Sequence, residues 1–307
     1  MRAIFQESFG GADVLQLGER PDPLLGPDTV IVRVRTAGVN PVDWKIREGY
    51  LQTAFPHVLP LVPGWDVAGV VETVGTAVRD LAVGDEVLGY VRKDLVSGGS
   101  FAELVSASSR HLALKPPGVS FEVAGALPLA GLTALQSLDD VRLAAGETVL
   151  VHAAAGGVGH LAVQLAVVRG ARVIGTASER NHDFLRSLGA EPVAYGEGLV
   201  DAVRALAPDG VDAAVDYVGG EAIAQSALLA KDPGRTASNV DPAAVAEVGG
   251  IHCFVRPDSH QLAQLVALVD GGAVRVEVQQ VFPLEQAADA LALLEEGHVR
   301  GKLVLTV

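Results

Sequence analysis

Seven residues near the middle of the chain, 153–159 with the sequence AAAGGVG, have the composition of a nucleotide-binding turn. They follow an apolar run, TVLV, and precede a helix-like segment, GHLAVQLAVV. Between a strand and a helix, such a turn lets backbone N–H groups and the positive end of the helix dipole hold a pyrophosphate. The residues predicted to bind a dinucleotide cofactor in this way are Ala155, Gly156, Gly157, Val158 and Gly159.

This turn is looser than the strict G-x-G-x-x-G pattern, because Ala154 stands at the first glycine position. A glycine turn can also serve only to pack a helix onto a strand. The succession of strand, turn, helix and second strand from Thr148 to Arg180 favours the cofactor interpretation. In that interpretation Gly156 lets the backbone approach the pyrophosphate, and Gly159 lets the helix pack closely on the sheet.

The end of the second strand of this segment distinguishes between the two nicotinamide cofactors. A site for NAD places Asp or Glu about 20 residues beyond the glycines, where it binds the ribose 2′-hydroxyl. Here the sequence reads Thr176-Ala177-Ser178, followed by Glu179 and Arg180. A hydroxyl and a guanidinium suit a 2′-phosphate, so we predict NADPH with Ser178 and Arg180 as contacts. Ser178 is also a good helix N-cap and Arg180 a plausible surface residue, and Glu179 must point away from the phosphate.

Composition limits the classes of partner. The chain has 307 residues, of which 49% are hydrophobic and 20% charged, as in globular proteins. Its formal charge of −14 makes nucleic acid and anionic membranes poor partners. The single cysteine, Cys253, excludes an intramolecular disulfide and a cysteine-rich zinc site. No signal-like segment and no uncharged run of about 18 residues is present, so we expect a cytoplasmic protein.

Two different patterns of predicted secondary structure along the chain indicate an α/β protein with two domains. Residues 1–120 contain short β-like runs separated by Gly and Pro, which indicates a β-rich domain. In residues 121–256 apolar strands alternate with helices, which is typical of a doubly wound parallel sheet, the Rossmann fold. The last of these strands, RTASNV, is weak in apolar residues. Residues 257–307 end in the strand KLVLTV and are predicted to return and complete the first domain.

As a set, these motifs resemble the medium-chain dehydrogenase/reductase superfamily, in its zinc-free quinone oxidoreductase (zeta-crystallin-like) family. The resemblance covers nearly the whole chain. It implies a GroES-like β-rich catalytic domain, a Rossmann domain, and a cleft between them that takes NADPH and substrate. The segments that carry the resemblance are AGVNPVDWKIREG, PGWDVAGVVETVG, VGDEVLG, GGSFAELV, LPLAGLTALQSL, the AAAGGVG turn and GHVRGKLVL.

The zinc ligands of the related alcohol dehydrogenases are replaced in this sequence. Those enzymes carry a cysteine in the first segment and G-H-E in the second, where this chain has Asn40 and Gly64-Trp65-Asp66. An amide and an indole do not hold zinc, so no metal site is expected. Without Lewis-acid polarisation, we expect an activated hydride acceptor such as a quinone or an α,β-unsaturated carbonyl compound.

The resemblance also implies three catalytic residues. Asn40 and Thr133 would lie near the nicotinamide, and Tyr50 at the mouth of the cleft. Asn40 either donates its amide to a carbonyl oxygen or satisfies the turn before Pro41. Thr133 either bonds the nicotinamide or packs as a small helix residue. Tyr50 is either the proton donor or, because a phenol has a pKa of about 10, a positioning group.

Further cofactor contacts are implied at Tyr195, Asn239, Phe254, Val255 and Lys302. Tyr195 would flank the adenine or its phosphate, or else fill the core or surface, and Lys302, beside Arg300, is a phosphate candidate. The segment LLAKDPGRTASNVDPAAVAEVGG is shorter and more polar than usual in the family, which weakens the transfer of Asn239 and Phe254.

Two acids in apolar stretches, Asp43 and Asp66, are predicted to be structural, bonded to backbone or to Lys45.

The predicted function is a zinc-independent, NADPH-dependent reductase of quinones or enones, in which water supplies the proton. An enoyl-thioester reductase is an alternative, but its carrier arm needs basic residues, and Arg47, Arg92 and Lys93 are scattered in the sequence. A non-catalytic NADPH-binding sensor or structural protein is a third possibility. The family resemblance implies a homodimer, with GIHCFVRP as the edge strand.

Overall fold

Seventeen strands and ten α-helices make up the chain, and the computed structural model describes all residues from 1 to 307. The strands are β1 (Arg2–Phe5), β2 (Gln16–Glu19), β3 (Thr29–Val39), β4 (His57–Val62), β5 (Asp66–Val74), β6 (Glu86–Tyr90), β7 (Val96–Gly98), β8 (Leu104–Ser108), β9 (Leu112–Leu114), β10 (Thr148–Val151), β11 (Arg172–Thr176), β12 (Ala190–Val193), β13 (Ala213–Asp216), β14 (Thr236–Ser238), β15 (Ile251–His252), β16 (Val278–Pro283) and β17 (Lys302–Thr306). The helices are α1 (Pro41–Arg47), α2 (Phe121–Ala126), α3 (Pro128–Asp140), α4 (Gly159–Val168), α5 (His182–Ser187), α6 (Leu199–Leu206), α7 (Glu221–Leu229), α8 (Pro242–Glu247), α9 (Ser259–Asp270) and α10 (Ala287–Glu295). None of these helices combines the length and the apolar character needed to cross a bilayer.

The chain divides into two compact units. Unit 1 comprises Met1–Leu129, Pro257–Gly271 and Val276–Val307, and unit 2 comprises Ala130–Arg256 and Gly272–Arg275. The predicted boundary after residue 120 therefore falls too early, and the C-terminal segment returns to unit 1 except for four residues.

Helix α2 belongs to unit 1 because it packs tightly on β3. The hydroxyl of Thr36 donates to the carbonyl of Phe121 at 2.6 Å. A Cβ placed on Gly38 would lie 2.4 Å from the carbonyl oxygen of Gly125, so only glycine permits this approach of helix and strand.

A seven-stranded sheet forms the centre of unit 1. Its strands are ordered β16-β17-β3-β5-β6-β9, and β8 also pairs with β3. The closing strand β17 runs antiparallel to β3, with Leu303 opposite Val39 and Leu305 opposite Ala37. Buried side chains from β3, β5, β8 and β17 form one apolar core. This sheet therefore holds the C-terminal end of β3 close to the N-terminal ends of β5 and β17.

Unit 2 contains a parallel sheet in the order β12-β11-β10-β13-β14-β15. This is the doubly wound order, in which the connections reverse direction between β10 and β13, and it confirms the predicted fold class. The weak strand RTASNV is present as β14, which pairs with β13 from Thr236 to Ser238. Its three residues are all buried.

The run AVRVEVQQVFP has the β-branched composition of one continuous strand, but it forms a strand only over Val278–Pro283. Arg275, just before it, instead belongs to unit 2, because its N–H donates to the Gln164 side chain at 2.8 Å and its carbonyl accepts from the same amide at 2.9 Å. The backbone of Arg275 therefore forms its hydrogen bonds with the Gln164 side chain and not with a neighbouring strand.

Candidate active site

Most residues predicted to bind a cofactor follow the carboxyl ends of strands in unit 2. Parallel strands end at the same edge of a sheet, and in doubly wound folds ligands bind outside that edge at the switch point. The glycine turn follows β10, Ser178 follows β11, Tyr195 follows β12, Asn239 follows β14, and Phe254 and Val255 follow β15. The topology thus brings this predicted set to one edge.

The glycine turn leaves backbone donors open. Ala153, with φ of 49°, starts the turn, and Gly156 donates back to its carbonyl at 2.9 Å. The N–H groups of Ala155, Gly157 and Val158 donate to no protein acceptor. These donors stand just before α4, whose N-terminus carries a partial positive charge. The turn therefore fits the pyrophosphate that the sequence predicts.

A buried histidine lies directly behind the turn. The hydroxyl of Ser226 donates to the carbonyl of Ala222 at 2.8 Å, so His152 Nε2 must donate to Ser226 at 2.9 Å. The other ring nitrogen, Nδ1, then accepts from Thr176 Oγ1 at 3.4 Å. Thr176 Oγ1 in turn accepts from the N–H of Ala153 at 3.2 Å. The imidazole is therefore neutral, and burial lowers its pKa to about 4.

This pKa predicts a loss of stability in acid. In the unfolded chain His152 takes up a proton near its ordinary pKa of about 6.5, whereas in the fold it stays neutral down to about 4. Protons therefore favour unfolding as pH falls from 6.5 to 4, and we expect a loss of about 2–3 kcal/mol by pH 4.5. Denaturant unfolding of the wild type and His152→Asn at pH 7 and 4.5 isolates this contribution, since the variant lacks it. Unfolding free energies that change in parallel with pH would contradict it.

Ser178 and Arg180 follow the carboxyl end of β11. Ser178 precedes a 3₁₀ helix, Glu179–Asn181, and makes no side-chain capping bond to it. Its oxygen accepts from the Asn181 side chain at 3.4 Å, so its proton remains available to a ligand. Arg180 is exposed.

The remaining predicted contacts of unit 2 differ in burial. Tyr195 is 60% exposed and Phe254 is 48% exposed. Asn239 is half-buried, but its Oδ1 is inaccessible and accepts no hydrogen bond from the protein. Leaving such an acceptor unpaired costs about 1–3 kcal/mol, so a donor from a ligand or water fits there. Thr133 is fully buried in α3, and Val255 is half-buried.

In unit 1, Asn40 and Lys302 meet in a buried polar cluster with Asp66. The amide of Asn40 donates to Asp66 Oδ2 at 2.8 Å, and its oxygen accepts from the Lys302 ammonium. The ammonium also donates to the carbonyl of Val39 at 3.0 Å and lies 3.8 Å from Asp66 Oδ2. Asp66 Oδ1 accepts from the N–H of Leu129 at 2.7 Å.

This cluster revises the expected contacts of Asn40, Lys302 and Lys45, whereas the predicted backbone bonds of Asp43 and Asp66 are present. Both amide hydrogens of Asn40 are occupied, by Asp66 and, at 3.4 Å, by the carbonyl of Gly38, so none is left for a substrate carbonyl. Lys302 does not fit a phosphate contact, because its ammonium is buried and bonded inside unit 1. The cation beside Asp66 is Lys302 and not Lys45, which lies over the Trp44 ring.

Burial shifts every titration in the cluster. Desolvation raises the pKa of Asp66 to about 6, although Lys302 opposes the shift. Desolvation also raises the pKa of Asp43 to about 7. Asp43 accepts from the N–H of Asn40 at 2.8 Å, but its second oxygen has no hydrogen-bond partner. The pKa of Lys302 is lowered by desolvation.

An aromatic group lies next to this cluster. Trp65 makes edge contacts with Phe55 at 5.9 Å and with Tyr90 at 6.1 Å between ring centroids. Tyr50, by contrast, is 64% exposed and makes an edge contact with Trp44. A hydrogen bond to Glu48 raises the pKa of Tyr50, which makes the phenol a weaker proton donor and favours a positioning role.

Burial excludes a cysteine nucleophile, and the arrangement of side chains does not fit a metal centre. Desolvation raises the pKa of the Cys253 thiol to about 12, so it is not a thiolate nucleophile. No three His, Cys, Asp or Glu side chains come together to hold a metal ion. Where zinc enzymes of the superfamily place ligands, Asn40 is bonded to Lys302 and Trp65 offers only an indole. The residues present do not fit a zinc ion.

Sequence reasoning missed His152 and the partnership of Lys302 with Asp66. The position of His152 between a strand and the glycine turn was a usable signal. No local signal joins Lys302 to Asp66.

A β-rich unit with its returning C-terminal strand, joined to a doubly wound unit with a glycine turn, defines the medium-chain dehydrogenase/reductase architecture. A family profile described as "Alcohol dehydrogenase GroES-like domain" matches residues 26–117, and one described as "Zinc-binding dehydrogenase" matches residues 188–305.

Three known proteins extend this likeness over the whole chain. The chloroplastic NADPH-dependent alkenal/one oxidoreductase of Arabidopsis thaliana is 36% identical over 315 residues, which cover 99% of this chain and 79% of that protein. The quinone oxidoreductase of Coxiella burnetii has a TM-score of 0.91 at 38% identity, over 100% of this chain and 99% of that one. A structure described as an NAD-dependent alcohol dehydrogenase has a TM-score of 0.89 at 34% identity, over 100% of both chains. The chain belongs to the zinc-free quinone oxidoreductase family, and it is an oxidoreductase.

Proposed function

We propose that this chain uses NADPH, without zinc, to transfer hydride to quinones or to the β-carbon of α,β-unsaturated carbonyl compounds. The observation that supports the proposal is the edge of the unit 2 sheet, where the open N–H groups of the glycine turn follow β10 and Ser178 and Arg180 follow β11. The name of the Arabidopsis relative supports NADPH and alkenals or enones as substrates. The NAD-dependent description of one structural neighbour supports the other cofactor, so the choice requires a direct test.

When bound, the nicotinamide supplies hydride chemistry, and the protein supplies position. The N–H groups of Ala155, Gly157 and Val158 would hold the pyrophosphate, and Ser178 and Arg180 the 2′-phosphate. Because the product anion of a quinone or enone is delocalised, a few hydrogen bonds suffice to stabilise it. The amide of Asn40 is hydrogen-bonded inside its own cluster and would position the neighbouring backbone. Water would supply the proton to the reduced product.

The proposal is tested by NADPH oxidation with a panel of quinones and enones, with NADH run in parallel. We expect turnover on both acceptor classes and a clear preference for NADPH. Oxidation of NADPH by crotonyl thioesters alone would instead indicate the enoyl-thioester alternative. A melting temperature that rises with NADPH, with no acceptor reduced, would indicate a binding protein.

One of the basic residues considered for binding a thioester arm already forms ion pairs within the protein. Arg47 is buried, and its guanidinium bonds Glu48 and Glu295, each at 2.7 Å. This pairing lowers the support for the enoyl-thioester alternative.

Replacing Arg180 by alanine is expected to weaken NADPH binding about 10- to 100-fold and leave NADH binding unchanged. A hydrogen bond to a charged group is worth about 1.5–3 kcal/mol, and only NADPH carries the 2′-phosphate. Fluorescence titration with each cofactor measures the effect. Arg186→Ala is the matched control, because Arg186 is an exposed arginine paired with Asp183 on α5. Equal weakening of NADH binding would contradict the assignment.

We also propose a homodimer formed through β15, the strand at the edge of the unit 2 sheet. The strand has only two residues, so the following segment, CFVRP, would have to extend the pairing. Light scattering coupled to size exclusion gives the mass that decides this. A cytoplasmic location stays a prediction.

A further inference from the structure

Unit 1 contains a cavity of about 380 Å³ that is separate from the Asn40 cluster. Its size lies within the range of about 300–1,000 Å³ that is typical of small-molecule sites. The lining residues that matter here are Thr29, Arg92, Lys93, Ser106, Ser108 and His111. The proposed function uses none of them, so the cavity calls for a separate explanation.

The cavity is locally basic in a strongly acidic chain. Arg92, Lys93 and His111 line it, against a formal charge of −14 for the whole protein. Asp94 is the one acid of the lining, but its side chain is fully exposed and its carboxylate lies 4.0 Å from Arg92. Asp94 therefore offsets part of the charge of Arg92, and the lining keeps an excess of basic side chains.

Hydroxyl donors lie on one face of the lining. Ser108 stands opposite Thr29 in the pairing of β8 with β3, and Ser106 is two residues further along β8. Residues two apart on a strand share a face, so both serine hydroxyls point toward the same side as Thr29. Neither serine hydroxyl forms a hydrogen bond within the protein, and neither does the imidazole of His111.

The ammonium of Lys93 lacks an acidic partner. It donates to the carbonyl of Gly98 at 2.9 Å and forms no ion pair. Burial lowers its pKa, which reflects the cost of keeping this charge away from water. The guanidinium of Arg92 lies 5.5 Å from the ring centroid of Phe55, a contact that restricts its position beside the cavity. An anionic ligand would compensate the charge of Lys93.

We propose that this cavity binds a small organic phosphate. The possible donors are two hydroxyls, an ammonium, an imidazole and a guanidinium. Five donor groups are more than the two oxygens of a carboxylate can engage, and they suit the three terminal oxygens of a phosphate monoester. The rest of the cavity volume takes the organic part. The proposal does not depend on the oxidoreductase activity, because all the residues involved lie in unit 1 and outside the predicted cofactor contacts.

Inorganic phosphate and glycerol 3-phosphate are titrated separately, at constant ionic strength against chloride, while the His111 ring signals are followed by NMR. The titrations are run with saturating NADPH, which fills the predicted phosphate contacts of unit 2, and again without it. We expect saturable shifts at millimolar or lower concentrations in both conditions, with tighter binding of glycerol 3-phosphate. The His111→Asn variant assigns the signals.

Lys93→Gln and Ser106→Ala are expected to weaken binding at least 10-fold. Arg300→Gln is the control, because Arg300 is a surface arginine of unit 1 that pairs with Glu277 outside the lining, and it is expected to bind as the wild type does. Circular dichroism verifies that each variant is folded, and Ser106→Ala keeps the test valid if Lys93→Gln does not fold. The proposal is overturned if neither probe gives a saturable shift, if inorganic phosphate binds as tightly as the organic probe, or if Arg300→Gln weakens binding equally.

Discussion

Replacing Lys302 by methionine is expected to lower the free energy of unfolding by about 3–5 kcal/mol. Its ammonium is the cation that faces Asp66 in a buried cluster, 3.8 Å from Oδ2. Removing one member of a buried ion pair leaves the other charge uncompensated, which costs more than the pair itself contributes. Denaturant unfolding at pH 8 measures the loss. Methionine retains most of the side-chain volume, so the loss reports charge more than packing.

The pH dependence of this loss identifies its cause. Asp66 already has a pKa raised to about 6, and without Lys302 the raised value moves higher. An acid with a raised pKa binds its proton more tightly in the folded state, so lowering the pH through that value stabilises the fold. We therefore expect the deficit of Lys302→Met to shrink between pH 8 and pH 5. A deficit that is the same at both pH values would point to packing instead.

Arg300→Met is the control for this experiment. Arg300 lies two residues from Lys302, but its ion pair with Glu277 is on the surface, with side chains 47% and 26% exposed. Exposed pairs contribute about 0–1 kcal/mol, so we expect a loss within that range. A similar loss for both variants would contradict the special role of the buried cluster.

The features predicted well from the sequence are those set by neighbouring residues. The glycine turn is framed by a strand and a helix within a single stretch, and its residues appear at the predicted sheet edge. The apolar runs of unit 2 form the expected parallel sheet, because continuous burial leaves a local signature. Even β14, with its polar Thr236 and Ser238, forms a strand, because its backbone pairs with β13 on one side and with β15 on the other.

Contacts between distant segments account for what the sequence did not predict. Lys302 and Asn40 are 262 residues apart in the chain, and only the pairing of β17 with β3 brings them together. The sequence predicted backbone or Lys45 as the partner of Asp66; a backbone bond from Leu129 is present, but the cation is Lys302. The segment around Arg275 had the pattern of a strand, but the amide of Gln164 binds it in unit 2.

Replacing Gly159 by alanine is expected to destabilise the protein by about 3 kcal/mol and to weaken NADPH binding at least 10-fold. An added Cβ would lie 2.2 Å from the carbonyl oxygen of Ala153 and 2.7 Å from Cα of Ala154. Both neighbours are backbone, so the turn itself must move, at the upper end of the usual cost of overpacking. At an unhindered position inside a helix, replacing glycine by alanine would stabilise the protein by about 1 kcal/mol. A destabilising effect would therefore indicate the steric clash and not the helix propensity.

The matched variant is Gly156→Ala, because it separates the two roles predicted for the turn. A Cβ there would meet only the carbonyl oxygen of Ala153, at 3.2 Å, so unfolding of the free protein should change by less than about 1 kcal/mol. The same Cβ would occupy the space into which a pyrophosphate approaches the backbone, so NADPH affinity should fall at least 10-fold. Unfolding without cofactor and fluorescence titration with NADPH give the two quantities for both variants. If Gly156→Ala binds NADPH as the wild type does, the turn serves helix packing alone and the cofactor assignment fails.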